Sequence, residues 1–174
     1  MTATPTPKRW LAIAMTLASA SCLVVAALTP NWLVNGNVYD EIHIGLRSHV
    51  APELVETTTT SGAFAPAGWA TFVACLVSAV GALAGAALAL LRKRPDLPIA
   101  PTTLALVGCM VALVGGVVFV ATKPTPAGYV DLGYSFYAFA AGVLLGFASA
   151  PMLAKVNRPP DPDLLEDAMN PDQF

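Results

Sequence analysis

Long stretches of the sequence contain no charge at all. Charged residues make up 11% of the 174 positions and apolar residues 56%, whereas soluble domains carry about 25% charged residues. The sequence also lacks a basic patch with interleaved aromatic residues, the pattern typical of nucleic-acid-binding proteins. With a mean hydropathy of +0.65, the composition predicts a protein of the lipid bilayer and gives no reason to expect a nucleic-acid partner.

Cysteine is scarce, and no cysteine lies in a polar segment. The three cysteines, Cys22, Cys75 and Cys109, all lie inside apolar runs, and no two form a C-x-x-C pair. Their odd number and placement argue against a disulfide framework. We expect them to behave as small buried apolar side chains.

Four apolar runs contain no Asp, Glu, Lys, Arg or His. Each is close to the roughly 20 residues that a helix needs to cross a hydrocarbon core, and none shows strand alternation, so transmembrane helices are predicted. Without an ionisable residue in a span, ion-coupled transport and intramembrane proteolysis are disfavoured, and no nucleotide-binding fingerprint appears. We therefore predict a protein that is not an enzyme and has no cofactor. The predicted spans are residues 10–28, 67–91, 99–121 and 134–154.

The basic residues predict the orientation. Seven of the nine lie just before span one, in the loop between spans two and three, or just after span four. The positive-inside rule then places the tails, residues 1–9 and the acidic 155–174, in the cytoplasm and the loop 29–66 outside. Ala18-Ser19-Ala20 resembles a signal-peptide cleavage site, but the apolar run continues to Leu28, so we expect span one to be retained.

Small residues recur at a spacing of four in several spans. This spacing lets helix backbones approach closely, which matters because lipid provides no hydrophobic drive between helices. The pattern predicts packing within a four-helix bundle, or alternatively a helix face that meets another protein. The residues are Ala14, Ala18 and Cys22 in span one, Gly81 and Gly85 in span two, Gly108, Gly115 and Gly116 in span three, and Gly142 and Gly146 in span four.

The first outside loop has the alternation of a half-buried strand. Val38, Ile42, Ile44 and Leu46 fall on one face, after a turn signal at 35–37. Further strands are predicted in "LVETTTTSG", residues 54–62, and in "YVDLGY", residues 129–134. The expected fold is therefore an all-α membrane protein, a four-transmembrane-helix bundle with a small antiparallel β-sheet in the outside loops.

This pattern resembles the claudin and peripheral-myelin-protein superfamily of four-span proteins. In that family the first outside loop carries a Trp soon after span one, then a Gly-Leu-Trp-x-x-Cys motif and a second Cys. Here Trp32 is followed by Gly45-Leu46-Arg47, so Arg47 stands where the motif has Trp, and Val50 where it has Cys. The resemblance implies a loop sheet that contacts neighbouring proteins, anchored by Trp32, Leu46 and Arg47, but without the family's disulfide.

The expected function is that of a non-catalytic accessory subunit, assembly factor or lateral scaffold in a bacterial-type inner membrane. Its expected contacts are the bilayer and either a membrane-protein partner or further copies of itself, made through the loop and the small-residue faces. One alternative is an oligomeric channel or carrier for a neutral or lipidic solute, although Thr16, Ser19 and Thr71 provide little polar lining. A second alternative is an extracytoplasmic metal-binding protein, with ligands from Asp40, Glu41, His43, His49 and Glu53.

Overall fold

In the part of the chain that the structure describes, the predicted architecture is confirmed: four helices are long and apolar enough to cross a membrane, and a three-stranded antiparallel sheet lies at one end. The computed structural model describes residues 7–36, 41–47, 62–91, 100–123 and 130–157. In chain order the elements are α1 (Pro7–Leu28), β1 (Leu33–Gly36), β2 (Glu41–Ile44), α2 (Phe64–Leu91), α3 (Ala100–Ala121), β3 (Val130–Leu132) and α4 (Tyr134–Asn157).

Each helix covers one apolar run and extends by at most three residues beyond the span expected from the sequence. Helix α1 begins at Pro7, a residue that suits the first turn because its missing N–H needs no partner there. It ends before Pro30, where the Thr29 amide donates to the Val25 carbonyl at 3.0 Å and the Thr29 hydroxyl donates to the same oxygen at 2.6 Å. The last turn of α1 is thereby capped by the residue that follows it.

The most extensive contacts in the bundle are those of α1 with α4 and of α2 with α3. Helix α1 also packs on α2, and α3 makes a smaller contact with α4. Helix α3 exposes large apolar side chains along most of its length, as expected for a surface that faces lipid tails. They are Leu104, Val107, Met110, Val111, Leu113, Val114, Val117 and Val118.

The sheet has the strand order β2-β1-β3 and joins the two loops at one end of the bundle. We call this the sheet end; the opposite end, where α1 begins and α4 finishes, is the terminal end. Leu33 of β1 faces Ile44 of β2 on one side and Leu132 of β3 on the other. The register therefore brings together loops that lie about 100 positions apart in the chain.

Two details of the loop prediction change, and others lie outside the described residues. Strand β1 was not anticipated, and Asn35 and Gly36 belong to it instead of forming a turn. They pair with β2 and β3, so tertiary pairing overrides the local turn preference. The strand expected at 129–134 is present as β3. Most of the strand expected at 54–62, and the basic loop and the acidic tail after Asn157, lie outside the described residues.

Candidate interaction surface

Trp32 joins the sheet to the helices. Its side chain is completely buried, and its indole Nε1–H donates to the carbonyl oxygen of Ala26 in the last turns of α1 at 2.6 Å. A buried indole needs such a partner, because an unpaired N–H removed from water is costly. The hydrogen bond also occupies a carbonyl near the helix end, where partners within the helix run out.

Aromatic rings from two helices surround Trp32, and a ring from a third helix stacks on one of them. Its ring centroid lies 5.7 Å from that of Phe119 on α3, 6.1 Å from Phe136 and 4.9 Å from Phe139 on α4. Phe64, the first residue of α2, stacks on Phe119 at 4.5 Å. We call these five residues the aromatic cluster. Tilted and edge-on ring pairs at these separations are favourable, so the cluster ties all of α2, α3 and α4 to the start of the sheet.

A second link runs through the backbone beside Trp32. The Gly133 amide donates to the Trp32 carbonyl at 2.9 Å, and the Ser135 amide donates to the Asn31 carbonyl at 3.0 Å. The hydroxyls of Thr29 and Ser135 lie 2.6 Å apart. A Cβ atom at position 133 would collide with Asn31, so only glycine permits this approach. Together these bonds fix the start of α4 against the end of α1.

The strand register gives the sheet one buried row and one outward row. Residues that face each other across neighbouring strands project from the same side of a sheet. Ile44 and Leu33 are buried and Leu132 is half-buried, so their row faces the bundle. The next row contains His43, Val34 and Asp131, of which His43 and Asp131 are exposed. This outward row is the surface that the sheet presents away from the helices.

The Gly45-Leu46-Arg47 segment leads from β2 to the side of α2. Leu46 is buried, and Arg47 is exposed with its guanidinium carbon 4.8 Å from the centroid of the Phe72 ring. A Cβ at Gly68 of α2 would collide with the Leu46 carbonyl oxygen. The structure thus places Trp32, Gly45, Leu46 and Arg47 at the same end of the bundle, with Trp32 and Leu46 in its core.

The seven glycines singled out in the predicted spans all lie against other helices of the same bundle. A Cβ at Gly81 would meet the Ala105 backbone nitrogen at 2.7 Å, and one at Gly146 would meet the Cys109 sulfur at 2.6 Å. Gly85 faces Leu153, and Gly142 faces Leu23. Ala14 and Ala18, by contrast, are exposed on α1. The glycine faces therefore pack inside the bundle, and the small-residue face that remains exposed is that of Ala14 and Ala18 on α1.

A group of buried hydroxyls, only partly anticipated from the sequence, lies at the centre of the bundle. They line a cavity of about 10 Å³, close to the space that one water molecule needs. Ser19 donates to the Gly142 carbonyl at 2.7 Å, and Ser78 to the Ala105 carbonyl at 2.8 Å. Of the three hydroxyls considered from the sequence as a polar lining, Thr16 and Ser19 line this cavity and Thr71 does not. We call the lining hydroxyls the hydroxyl cluster: Thr16, Ser19, Ser78, Thr102 and Ser149.

The cysteines lie within the helices, whereas two of the suggested metal ligands, Glu41 and His43, belong to β2 of the sheet. All three cysteines are free thiols, and Cys109 lies 3.0 Å from the Ser78 hydroxyl. Among the residues that the structure describes, no group of three His, Cys, Asp or Glu side chains is placed to hold a metal ion. Three of the five suggested ligands, Asp40, His49 and Glu53, lie outside the described residues.

Comparison with known proteins adds no family assignment. No protein-family model matches the chain, and no curated protein matches its sequence.

Proposed function

We propose that the protein is a non-catalytic integral membrane protein that acts as an accessory subunit, assembly factor or lateral scaffold through its sheet end. The observation that carries this proposal is the rigid mounting of a small sheet on the bundle. The completely buried Trp32 and the bonded Gly133 fix both loops to the helix ends. A surface held in this way loses little conformational entropy when a partner binds to it.

The outward row of the sheet is the proposed contact. His43 and Asp131 flank Val34 on adjacent strands, so the row combines an imidazole, a short apolar side chain and a carboxylate. Strands are about 4.8 Å apart, which places the two polar residues about 10 Å from each other. Polar groups around an apolar centre are typical of interfaces between proteins that are also stable alone.

The helix faces offer a partner fewer of the small residues singled out from the sequence than the spacing alone suggests. The glycines pack within the bundle, which leaves the exposed Ala14 and Ala18 of α1 as the small-residue face open to a neighbour. We propose that the sheet determines which partner is bound, and that this helix face allows a second helix to approach in the membrane.

A relationship to the claudin-like superfamily is part of this proposal. Support comes from the four-helix arrangement, the sheet formed from both loops, and the burial of Trp32 and Leu46 beneath it. The family's loop sheet contacts neighbouring proteins, which is the role proposed for the outward row here. The Arg47 guanidinium stacks on Phe72, so a cation occupies the motif position of an aromatic ring.

We further propose that the sheet end faces outward from a bacterial-type inner membrane, with both termini in the cytoplasm. The distribution of basic residues supports this orientation. In a variant whose three native cysteines are replaced by Ala, single cysteines introduced at Lys123, next to the sheet end, and at Lys155, near the terminal end, provide a test with a membrane-impermeant maleimide on intact cells. The Lys123→Cys protein should be labelled and the Lys155→Cys protein protected; the opposite pattern would reverse the topology.

The interaction itself can be tested by purification from native membranes in mild detergent, followed by mass spectrometry and a measurement of particle mass. A stoichiometric foreign partner or a defined homo-oligomer is expected. The double variant His43→Ala/Asp131→Lys should release it while the helical content stays unchanged. Leu144→Ala, at a residue that is 70% exposed on α4, is the matched control and should retain the partner. Unchanged assembly in the double variant would refute the proposed surface.

A second candidate function, a carrier or oligomeric channel for a small neutral solute, is favoured by the hydroxyl cluster alone. Its cavity of about 10 Å³ has room for about one water molecule, so a solute would require a wider state or a pore between copies. Uptake into proteoliposomes distinguishes the two. Solute flux that Ser78→Val abolishes would favour transport, whereas the absence of flux from a fully inserted protein leaves the interaction function.

A further inference from the structure

Arg47 occupies an unusual position for a charged residue in this chain. Its guanidinium carbon lies 4.8 Å from the centroid of the Phe72 ring, and that ring makes an edge contact with Trp69 at 5.6 Å. Both aromatic residues belong to α2, and Trp69 is 47% exposed. The cation therefore lies against the side of a transmembrane helix, with the Arg47 side chain exposed at the surface.

The depth of this contact can be estimated from the helix itself. The 28 residues of α2 correspond to about 42 Å at 1.5 Å per residue, compared with about 30 Å of hydrocarbon. A centred helix thus extends about 6 Å beyond the hydrocarbon at each end. Phe72, eight residues after the helix start, lies about 12 Å along the axis and so about 6 Å inside the hydrocarbon edge. Trp69, five residues after the start, lies about 8 Å along the axis, close to that edge, and is of the type that marks the headgroup boundary. The Arg47 guanidinium, which contacts the Phe72 ring, is therefore within a side-chain length of this boundary.

A charge at this depth requires a counterion. Removing a cation from bulk water is costly unless it is paired with an anion. Among the residues whose side chains the structure describes, no carboxylate forms an ion pair with Arg47. The mobile anionic group that is most abundant at the headgroup boundary is the phosphate of a phospholipid.

The structure also provides space for such a group. A groove of about 160 Å³ lies between the end of α1 and the loop segment that contains Arg47, and Arg47 is one of the residues that line it. A planar guanidinium can donate two parallel hydrogen bonds to phosphate oxygens, and stacking on Phe72 restricts the plane in which it does so. The groove is lined by Ala27, Leu28, Thr29, Pro30, Gly45, Leu46 and Arg47.

We infer that this groove binds the phosphate group of a phospholipid in the leaflet at the sheet end, with Arg47 as the ligand-binding residue and Phe72 as its positioning residue. The lipid's chains would lie along the exposed apolar surface of α2, next to Trp69. This site does not depend on the proposed interaction function, since it involves the side of the bundle and not the outward row of the sheet.

Native mass spectrometry of the detergent-solubilised protein provides the test, with dioleoylphosphatidylglycerol and dioleoylglycerol as probes. The two lipids share their chains and differ by the phosphate headgroup. Wild-type protein should bind the phospholipid about tenfold more tightly, and Arg47→Gln should abolish the preference. Lys123→Gln, which removes a different cation at the same end of the bundle, should leave it intact. Equal binding of both lipids, or a preference that survives Arg47→Gln, would overturn the assignment.

Two additional measurements separate a phospholipid site from a site for free phosphate and test the role of Phe72. Inorganic phosphate should fail to displace the phospholipid at millimolar concentration, and displacement would show that the groove recognises free phosphate and not a lipid. Should Arg47→Gln fail to fold by circular dichroism, Phe72→Leu replaces it as the test. That variant keeps the charge but removes the stacking, so a partial loss of the preference is expected and a full retention would contradict the role of Phe72.

Discussion

The sheet end and the interior of the bundle are held together by different kinds of side chain. At the sheet end, the aromatic cluster around Trp32 fills the space between the strands and the first or last turns of three helices. In the interior, glycine, alanine, serine and threonine allow backbones to approach, as where Gly108 lies against the backbone of Ser78. Large rings dominate one region and the smallest residues the other.

The surroundings of each region explain this difference. Apolar side chains at the sheet end can leave water when they pack, so the hydrophobic effect rewards large buried rings. Within the bilayer an apolar side chain gains little by exchanging lipid for protein, and helix association depends on close packing and interhelical hydrogen bonds. The sheet end is therefore built like the core of a soluble protein, and the interior like a membrane helix bundle.

Among variants of the two regions, removal of Trp32 at the sheet end should cause the largest loss of stability. Trp32→Ala deletes a completely buried ring and its bond to the Ala26 carbonyl, and should lower the free energy of unfolding by about 3–5 kcal/mol. Far-UV circular dichroism during denaturation in micelles measures the loss. Trp69→Ala, at a half-exposed tryptophan on α2, should cost far less. Equal losses would show that the buried ring does not dominate the sheet end.

A methyl group added in the interior should have the next largest effect. A Cβ at Gly108 would lie 2.8 Å from three atoms of Ser78, two of them in the backbone. Because the backbone cannot move cheaply, Gly108→Ala should destabilise the protein by about 1–3 kcal/mol. Gly85→Ala is the control, since the atom nearest to its added Cβ is the tip of the Leu153 side chain, at 2.9 Å. In the same denaturation experiment, Gly108→Ala should be much less stable than Gly85→Ala. Equal stability of the two variants would show that contact with the Ser78 backbone does not limit the packing.

The helices could be predicted because each is a property of one continuous segment. Twenty uncharged apolar residues require a helix in lipid regardless of their neighbours. Strand β1 could not be predicted in this way, since Asn35 and Gly36 favour a turn locally and become a strand only through pairing with β2 and β3. The pairing partner of Leu33 on β3, Leu132, is about 100 positions away.

The same distinction applies to the candidate site. A structural role for Trp32 was suggested by resemblance to a family, but its ring neighbours Phe119 and Phe139 come from different helices and have no sequence signature. The glycines were recognisable by their spacing, yet spacing does not show which helix each one faces. The exposed Ala14 and Ala18 have the same spacing as the buried Gly81 and Gly85, so only the packed structure separates the two sets.

A smaller effect is expected from a single hydroxyl of the interior. Ser78 donates to the Ala105 carbonyl and lies 3.0 Å from the Cys109 sulfur. Interhelical hydrogen bonds of this kind contribute about 0.6 kcal/mol on average in membrane proteins, so Ser78→Ala should lower the unfolding free energy by about that amount. Ser21→Ala, at an exposed hydroxyl that bonds only within its own helix, should be nearly neutral. A loss comparable to that of Trp32→Ala would mean that polar bonds dominate the interior.

The smallest effect is expected at the terminal end, where one cation is placed at the end of a helix. The Arg9 guanidinium donates to the Ala89 carbonyl in the last turn of α2, where the helix dipole is negative. Such a placement contributes about 0.3–1 kcal/mol and is weakened by salt. Arg9→Gln should therefore cost about 0.3 kcal/mol in low salt, and less in high salt. Lys8→Gln, at an exposed neighbouring lysine, is the matched control for the loss of one positive charge. A stability difference between these variants that disappears in high salt would show that the terminal end depends on electrostatics. The sheet end is held by buried rings, so the stability loss in Trp32→Ala should not change with salt.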